Sequence, residues 1–115
     1  MDVTIYHNPR CSKSRQALEL LRNYGIEPTV VEYLKQPPGK KELEELLARL
    51  GMEPRDLMRT QETHYREKRL DDPKLGRDQL IAALVEHPVL LERPIVVAGD
   101  RAVVGRPPEK ILDIL

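Results

Sequence analysis

The sequence predicts a single α/β domain built on a mixed four-stranded sheet. Three observations carry that prediction. A β-favouring run, an amphipathic helical run and a second β-favouring run follow one another at the start. A leucine-spaced helical stretch fills the middle. Near the end, two apolar runs flank Gly99-Asp100, and a proline-led helical segment follows. The first pattern is a βαβ unit with parallel strands; the last is an antiparallel hairpin with a helix after it. At 115 residues, one domain spanning 1–115 is the expected count.

The elements follow in order. Val3-Thr4-Ile5-Tyr6 reads as a strand. Asn8-Pro9 marks a turn, after which Ala17, Leu20, Leu21 and Tyr24 recur at helical spacing and Gly25 stops the helix. Pro28 to Tyr33 reads as a second strand. Pro37-Pro38-Gly39 breaks the chain. Leu43, Leu46, Leu47 and Leu50 then mark an amphipathic helix ended by Gly51, and Pro54 to Met58 a further short one. Thr60 to Arg77 is charged and poor in apolar residues, and is expected to be loop with some helix. Leu80, Ile81, Leu84 and Val85 mark a helix stopped by His87-Pro88. Pro94 to Val104 forms the hairpin. Pro107-Pro108-Glu109 opens a last helix carrying Ile111, Leu112 and Leu115. This order is the thioredoxin-like arrangement, with a helical segment inserted between the βαβ half and the C-terminal ββα half.

Composition excludes several functions. The chain has 19 basic and 19 acidic residues and no net charge, which argues against a general polyanion binder. Four tyrosines with no Phe or Trp give no base-stacking surface, so no nucleic acid is expected as a partner. No stretch reaches transmembrane length, and the first residues lack the pattern of a signal peptide. No membrane association is therefore expected. A lone thiol without an export signal fits the reducing cytoplasm. No apolar surface stripe is left unassigned, so a monomer is expected.

The one cysteine, Cys11, sits between the first strand and the first helix, in Tyr6-His7-Asn8-Pro9-Arg10-Cys11-Ser12-Lys13-Ser14. A helix N-terminus presents unpaired N–H groups and the positive end of the helix dipole, and both favour a thiolate. Arg10, Lys13, Arg15 and His7 are candidates for further positive charge. Ser14, Asn8 and His7 are candidates for hydrogen bonds to the sulfur. An ordinary thiol, with a pKa of about 8.5, is only about 3% ionised at pH 7; lowering it by roughly two units requires about 2.7 kcal/mol. A buried structural cysteine is the bland alternative, but neighbours of the Arg-Ser-Lys type do not resemble core. With no second cysteine, an external thiol must resolve any oxidised product.

Other candidates weigh less. His7, His64 and His87 with Cys11 lack the spacing of a zinc motif, and no metal is expected. His87 reads as a helix stop and His64 as a solvated side chain. Among the arginines, Arg93, Arg106 and Arg59 lie in ordered-looking segments, and Arg93-Pro94 stands at the entry to a strand. Arg66, in the charged middle, reads as solvated.

His7-Asn8-Pro9-x-Cys11-x-x-Ser14 resembles the glutaredoxin-dependent arsenate reductases of the ArsC family. So do Glu27-Pro28-Thr29, Tyr33-Leu34, Arg93-Pro94-Ile95-Val96-Val97, and Arg106-Pro107 followed by Ile111-Leu112-Asp113-Ile114-Leu115. The similarity runs along essentially the whole chain. Arg10-Cys11-Ser12-Lys13-Ser14 is closest to a sister branch of that family. The resemblance implies a thioredoxin-like fold with a helical insertion. It implies that Cys11 is the catalytic thiol and that His7 matches the family's histidine; Ser14 is taken as a further catalytic residue and Asn8 as a structural residue near the site. It implies that Arg59, Arg93 and Arg106 bind the oxyanion and that Pro94 is a cis-proline.

The activity so implied is reduction of arsenate to arsenite through a thiol–arsenate adduct on Cys11. Glutathione is the co-substrate, glutaredoxin the partner, and no cofactor is bound. Two alternatives stand beside it. One is a thiol oxidoreductase acting on another oxyanion or on a glutathionylated protein. The other is a regulator like those of the Spx family, which bind RNA polymerase. Typical Spx members carry C-x-x-C, and Cys11-x-x-Ser14 cannot close that disulfide.

Overall fold

The computed structural model of the protein describes residues 2–115. The chain forms two compact units. The first comprises the chain up to Gln36 together with Arg93–Leu115; the second is the contiguous insertion Pro37–Glu92.

In the first unit, β1 (Val3–His7), α1 (Ser12–Asn23) and β2 (Thr29–Glu32) form the βαβ half. The strands β3 (Ile95–Ala98) and β4 (Arg101–Val104) form the hairpin around Gly99-Asp100, and a 3-10 helix, Pro108–Ile114, follows. The sheet order is β2-β1-β3-β4. β1 runs parallel to β2 and antiparallel to β3, and β3 runs antiparallel to β4. This is the expected mixed sheet of a thioredoxin-like fold.

Alternation along the strands selects one face for the core. Val3 and Ile5 lie opposite Ala98 and Val96, and these four pack with Ala17 and Leu21 of α1 and with Ile111 and Ile114. Each fully buried Val, Leu or Ile side chain of this set contributes about 1.5–3 kcal/mol. The closing helix corrects one expectation. Ile111 and Ile114 are buried, whereas Leu112 and Leu115 are exposed. The helix is 3-10, so side chains three apart share a face. Tyr24, expected on the apolar face of α1, lies instead at its C-cap and is 61% exposed. Gly25 follows at φ 76° and Gly51 caps the next helix at φ 66°, the left-handed geometry that makes glycine a helix stop.

In the second unit, α2 (Lys40–Leu50) and α4 (Arg77–Glu86) pack together, and a 3-10 turn at Pro54–Leu57 packs on α4. Leu43, Leu46 and Leu47 are buried from α2, and Leu80, Ile81 and Leu84 from α4. Val85 is exposed rather than inward. Within the charged segment, α3 (Thr63–Glu67) forms and Leu70 is buried. Arg55 ties this segment down, donating from Nε to the Leu70 carbonyl and from an Nη to the Asp72 carbonyl, each at 2.9 Å. His64 is half-buried rather than solvated, because its ring stacks on His87 at 4.4 Å between centroids. Among the described residues, no helix is long and apolar enough to cross a membrane.

Candidate active site

Strand direction gathers one set of residues at one end of the sheet. His7 pairs with Glu32 across β1 and β2, Tyr6 with Ile95 across β1 and β3, and Ile95 with Val104 across β3 and β4. The ends that follow β1, β2 and β4 and the start that precedes β3 therefore coincide. They supply Asn8–Cys11, Tyr33, Gly105-Arg106 and Arg93-Pro94.

The loop between β1 and α1 is locked by its own polar groups. The Cys11 amide donates to the Asn8 carbonyl at 3.0 Å, and the Arg10 amide donates to Asn8 Oδ1 at 3.0 Å, which is an Asx turn around Pro9. Arg15 reaches back to the Pro9 carbonyl at 2.9 Å. Cys11 takes the N-cap position of α1, with extended backbone, and its carbonyl accepts the Arg15 amide at 3.0 Å. Its sulfur makes no capping hydrogen bond of full geometry, but the Lys13 and Ser14 amides lie close enough to favour its anion.

Cys11 is 8% exposed. Burial pushes its thiol up, but hydrogen bonding from Arg93, the two helix amides and the Arg93 charge outweigh it and hold the thiol below its ordinary value. This corrects the local expectation. The charge acting on the sulfur comes from Arg93, 82 positions along the chain, and not from Arg10, Lys13 or Arg15.

His7 and Ser14 are both buried, and His7 Nδ1 lies 2.6 Å from Ser14 Oγ. The Asn8 amide donates to the same hydroxyl at 3.0 Å. Burial lowers the pKa of His7, with Arg22 and Arg15 adding to the effect and Glu32 opposing it. His7 is thus neutral near pH 7, not a cation beside the thiol. The Ser14 hydroxyl is taken up by His7 and Asn8; its backbone amide, rather than that hydroxyl, serves the sulfur.

Arg93 precedes a cis peptide bond to Pro94, the isomer expected there. A second cis bond, Arg106-Pro107, was not foreseen from the sequence. The Gly105 amide donates to the Pro94 carbonyl at 2.9 Å, which holds the start of β3 against the end of β4. A Cβ on Gly105 would lie 3.2 Å from Pro94 Cγ and 3.2 Å from Ile111 Cδ1, so no larger side chain fits without displacing them. Arg106 follows, with its side chain exposed.

Tyr33 is the residue that motif reading passed over as a site residue. It directly follows β2, is 1% exposed, and lies close enough to Asn8, Arg93 and Cys11 for all three to act on its ionisation. Burial raises its pKa, and the Cys11 charge adds to that; Arg93 and Asn8 oppose it. Its hydroxyl has no partner in hydrogen-bond geometry, and neither does the buried Nε of Arg93. The signal in the sequence was its place at the carboxyl end of a parallel strand, where such sheets hold ligands.

Arg59 belongs to the second unit. Its amide donates to the Leu90 carbonyl at 2.7 Å, and an Nη lies 2.5 Å from Glu62 Oε1. A cavity of about 170 Å³ opens beside the Cys11 loop, lined by His7, Asn8, Pro9, Arg10, Glu32, Leu34 and Lys35. A larger opening of about 580 Å³, around Thr60, Tyr65, Arg66, Arg69 and Asp71–Pro73, lies in the second unit and holds none of the expected site residues. Among the described residues, no three His, Cys, Asp or Glu side chains gather as metal ligands.

Comparison with known proteins matches the ArsC family over residues 6–114. An arsenate reductase of Rhizobium meliloti is 50% identical, covering 100% of this chain and 82% of its own length. The Escherichia coli K12 protein YfgD, described as uncharacterized, is 53% identical over 98% of this chain and 96% of its own. Among solved structures, an arsenate reductase from Vibrio cholerae superposes with a TM-score of 0.98 and 52% identity, covering 100% of this chain and 98% of that one.

Proposed function

The chain belongs to the ArsC family, and from that membership we propose that it reduces arsenate to arsenite, with Cys11 as nucleophile and glutathione and glutaredoxin as the electron source. The observation that carries the reading is the Arg93 guanidinium beside the Cys11 sulfur, with a buried Nε that has no protein partner. One cation thus favours the thiolate and keeps a donor for an oxyanion oxygen. Arginine suits this task because its planar donors match oxyanion geometry and its charge offsets that of the substrate. Arg106 joins it from the same end of the sheet, and the family resemblance assigns Arg59 to the same task.

The Cys11 thiolate attacks arsenic, forming a sulfur–arsenic bond as one oxygen leaves as hydroxide or, once protonated, water. Glutathione, as its thiolate, then attacks the Cys11 sulfur. A disulfide forms, the sulfur–arsenic bond breaks, and its electron pair stays on arsenic, which becomes trivalent. Two thiols have supplied the two electrons. A glutaredoxin thiolate next attacks the glutathione sulfur and releases the Cys11 thiolate. The cationic rim of the small cavity, Arg10 and Lys35, suits the carboxylates of glutathione. His7 and Ser14 hold the loop that presents the sulfur. A monomer in the reducing cytoplasm fits a chain whose only thiol is resolved from outside.

The test is NADPH oxidation coupled through glutathione reductase, glutathione and glutaredoxin, with and without arsenate. Arsenate-dependent turnover that Cys11→Ser abolishes is the expected result. Turnover retained in Cys11→Ser would rule out the nucleophile. No turnover by the native protein, with Cys11 still rapidly alkylated at neutral pH, would rule out arsenate as the substrate.

A further inference from the structure

We infer that Tyr33 is a further oxyanion-binding residue: its hydroxyl donates a hydrogen bond to an oxygen of the tetrahedral anion held at Cys11, alongside Arg93 Nε. The inference rests on the oxyanion reading of the site and extends it to a residue outside the cysteine motif and the arginines.

Two buried donors at the site are unpaired. A buried hydroxyl without a partner forfeits its hydrogen bond to water and gains none in return, so such groups are rare in folded proteins. Here Tyr33 Oη and Arg93 Nε are both unpaired, and both belong to the cluster around Cys11. They flank different strands, Tyr33 just after β2 and Arg93 just before β3, and β1 lies between those strands. Two orphans from separate elements at one nucleophile have a common explanation in an acceptor that arrives with the substrate. The anion must supply at least two acceptor oxygens, which a tetrahedral oxyanion does and a simple thiol or disulfide does not.

The protonation state agrees with this role. Burial and the neighbouring thiolate raise the Tyr33 pKa above its ordinary value, so the phenol keeps its proton across the physiological range and acts as a donor. The residue is almost wholly enclosed, at 1% exposure. The hydroxyl therefore needs little reorganisation to bind.

The experiment measures protection of Cys11 from iodoacetamide by arsenate and, separately, by phosphate, in the native protein and in Tyr33→Phe. Phosphate is tetrahedral and is not reduced by thiols, so binding is read without turnover. Loss of one hydrogen bond to a charged group predicts roughly 10- to 100-fold weaker protection by either anion. The alkylation rate without anion, and its pH profile, should stay within about twofold, because Arg93 and the helix amides still act on the sulfur. The thermal midpoint without anion should be unchanged or higher, since an unpaired buried hydroxyl has been removed. Equal protection of both proteins would overturn the inference. So would a fall in thermal midpoint together with a shifted alkylation profile, which would make Tyr33 a structural support. Native protein that neither anion protects would overturn the inference and the oxyanion reading together; protection without reductase turnover would leave Tyr33 supported and remove only the reductase.

Discussion

His7 Nδ1 and Ser14 Oγ, 2.6 Å apart and both buried, join the last residue of β1 to the first turn of α1 across the loop that carries Cys11. The bond fixes the helix N-terminus relative to the sheet, and the sulfur takes its position from that helix. Ser14→Ala removes the bond and also leaves the Asn8 amide without its side-chain acceptor. The expected cost is about 1–3 kcal/mol, read as a lower urea midpoint at an unchanged slope.

The same pair sets a pH dependence. Burial lowers the folded-state pKa of His7 below its unfolded value of about 6.5, so the unfolded chain binds the proton more readily. Stability from this group is complete above about pH 6.5 and is lost as pH falls from there through the folded pKa. Urea midpoints should drop between pH 7.5 and pH 5.5. His7→Asn, which cannot titrate, should be less stable overall but show a shallower decline.

Arg93→Ala should raise the pKa of Cys11, because it removes both a hydrogen bond and a positive charge from the sulfur. Iodoacetamide alkylation at pH 7 should slow, and its pH profile should move to higher pH, because the thiolate fraction falls as the pKa rises. Anion protection of Cys11 should weaken in parallel. Arg66→Ala, whose side chain is exposed on the second unit, should change neither. Equal effects of the two substitutions would remove Arg93 from the site.

Glu62 engages Arg59 in an ion pair whose side chains are about three-quarters buried, at 26% and 28% exposure. An i,i+3 pair of this kind is worth at most about 1 kcal/mol. Glu62→Gln should thus leave the unfolding midpoint nearly unchanged. If Arg59 serves the oxyanion, the carboxylate competes for its guanidinium, and the variant should reach half-maximal turnover at a lower arsenate concentration. A higher requirement would mean that Glu62 positions Arg59 instead.

What was legible in the chain follows the range of the forces. The βαβ order, the leucine-marked α2, the hairpin at Gly99-Asp100 and the glycine stops were readable because each depends on residues a few positions apart. So was Cys11 at a helix N-terminus. The source of charge on its sulfur was not, since Arg93 reaches it only when β3 pairs with β1. His7 looked like a neighbouring cation and is a buried neutral partner of Ser14, because burial is a tertiary property. Tyr33 reads in the sequence only as the end of a strand and as part of a family pattern; its hydroxyl gains meaning once strand register brings the end of β2 and the start of β3 together. α-Helical spacing in the last helix points inward with Leu112 and Leu115, and the 3-10 period buries Ile114 instead.

The position of Arg93 after the long insertion has a consequence for timing. A ribosome delivers Cys11 and the whole βαβ half first, then the 56 residues of Pro37–Glu92, and only then the arginine that lowers the cysteine's pKa. Until β3 slots in beside β1, the nascent thiol has neither the guanidinium nor the burial that it meets in the finished fold. The pairing of the sulfur with Arg93 is thereby deferred until the sheet is complete, and a chain truncated before β3 carries the cysteine without it.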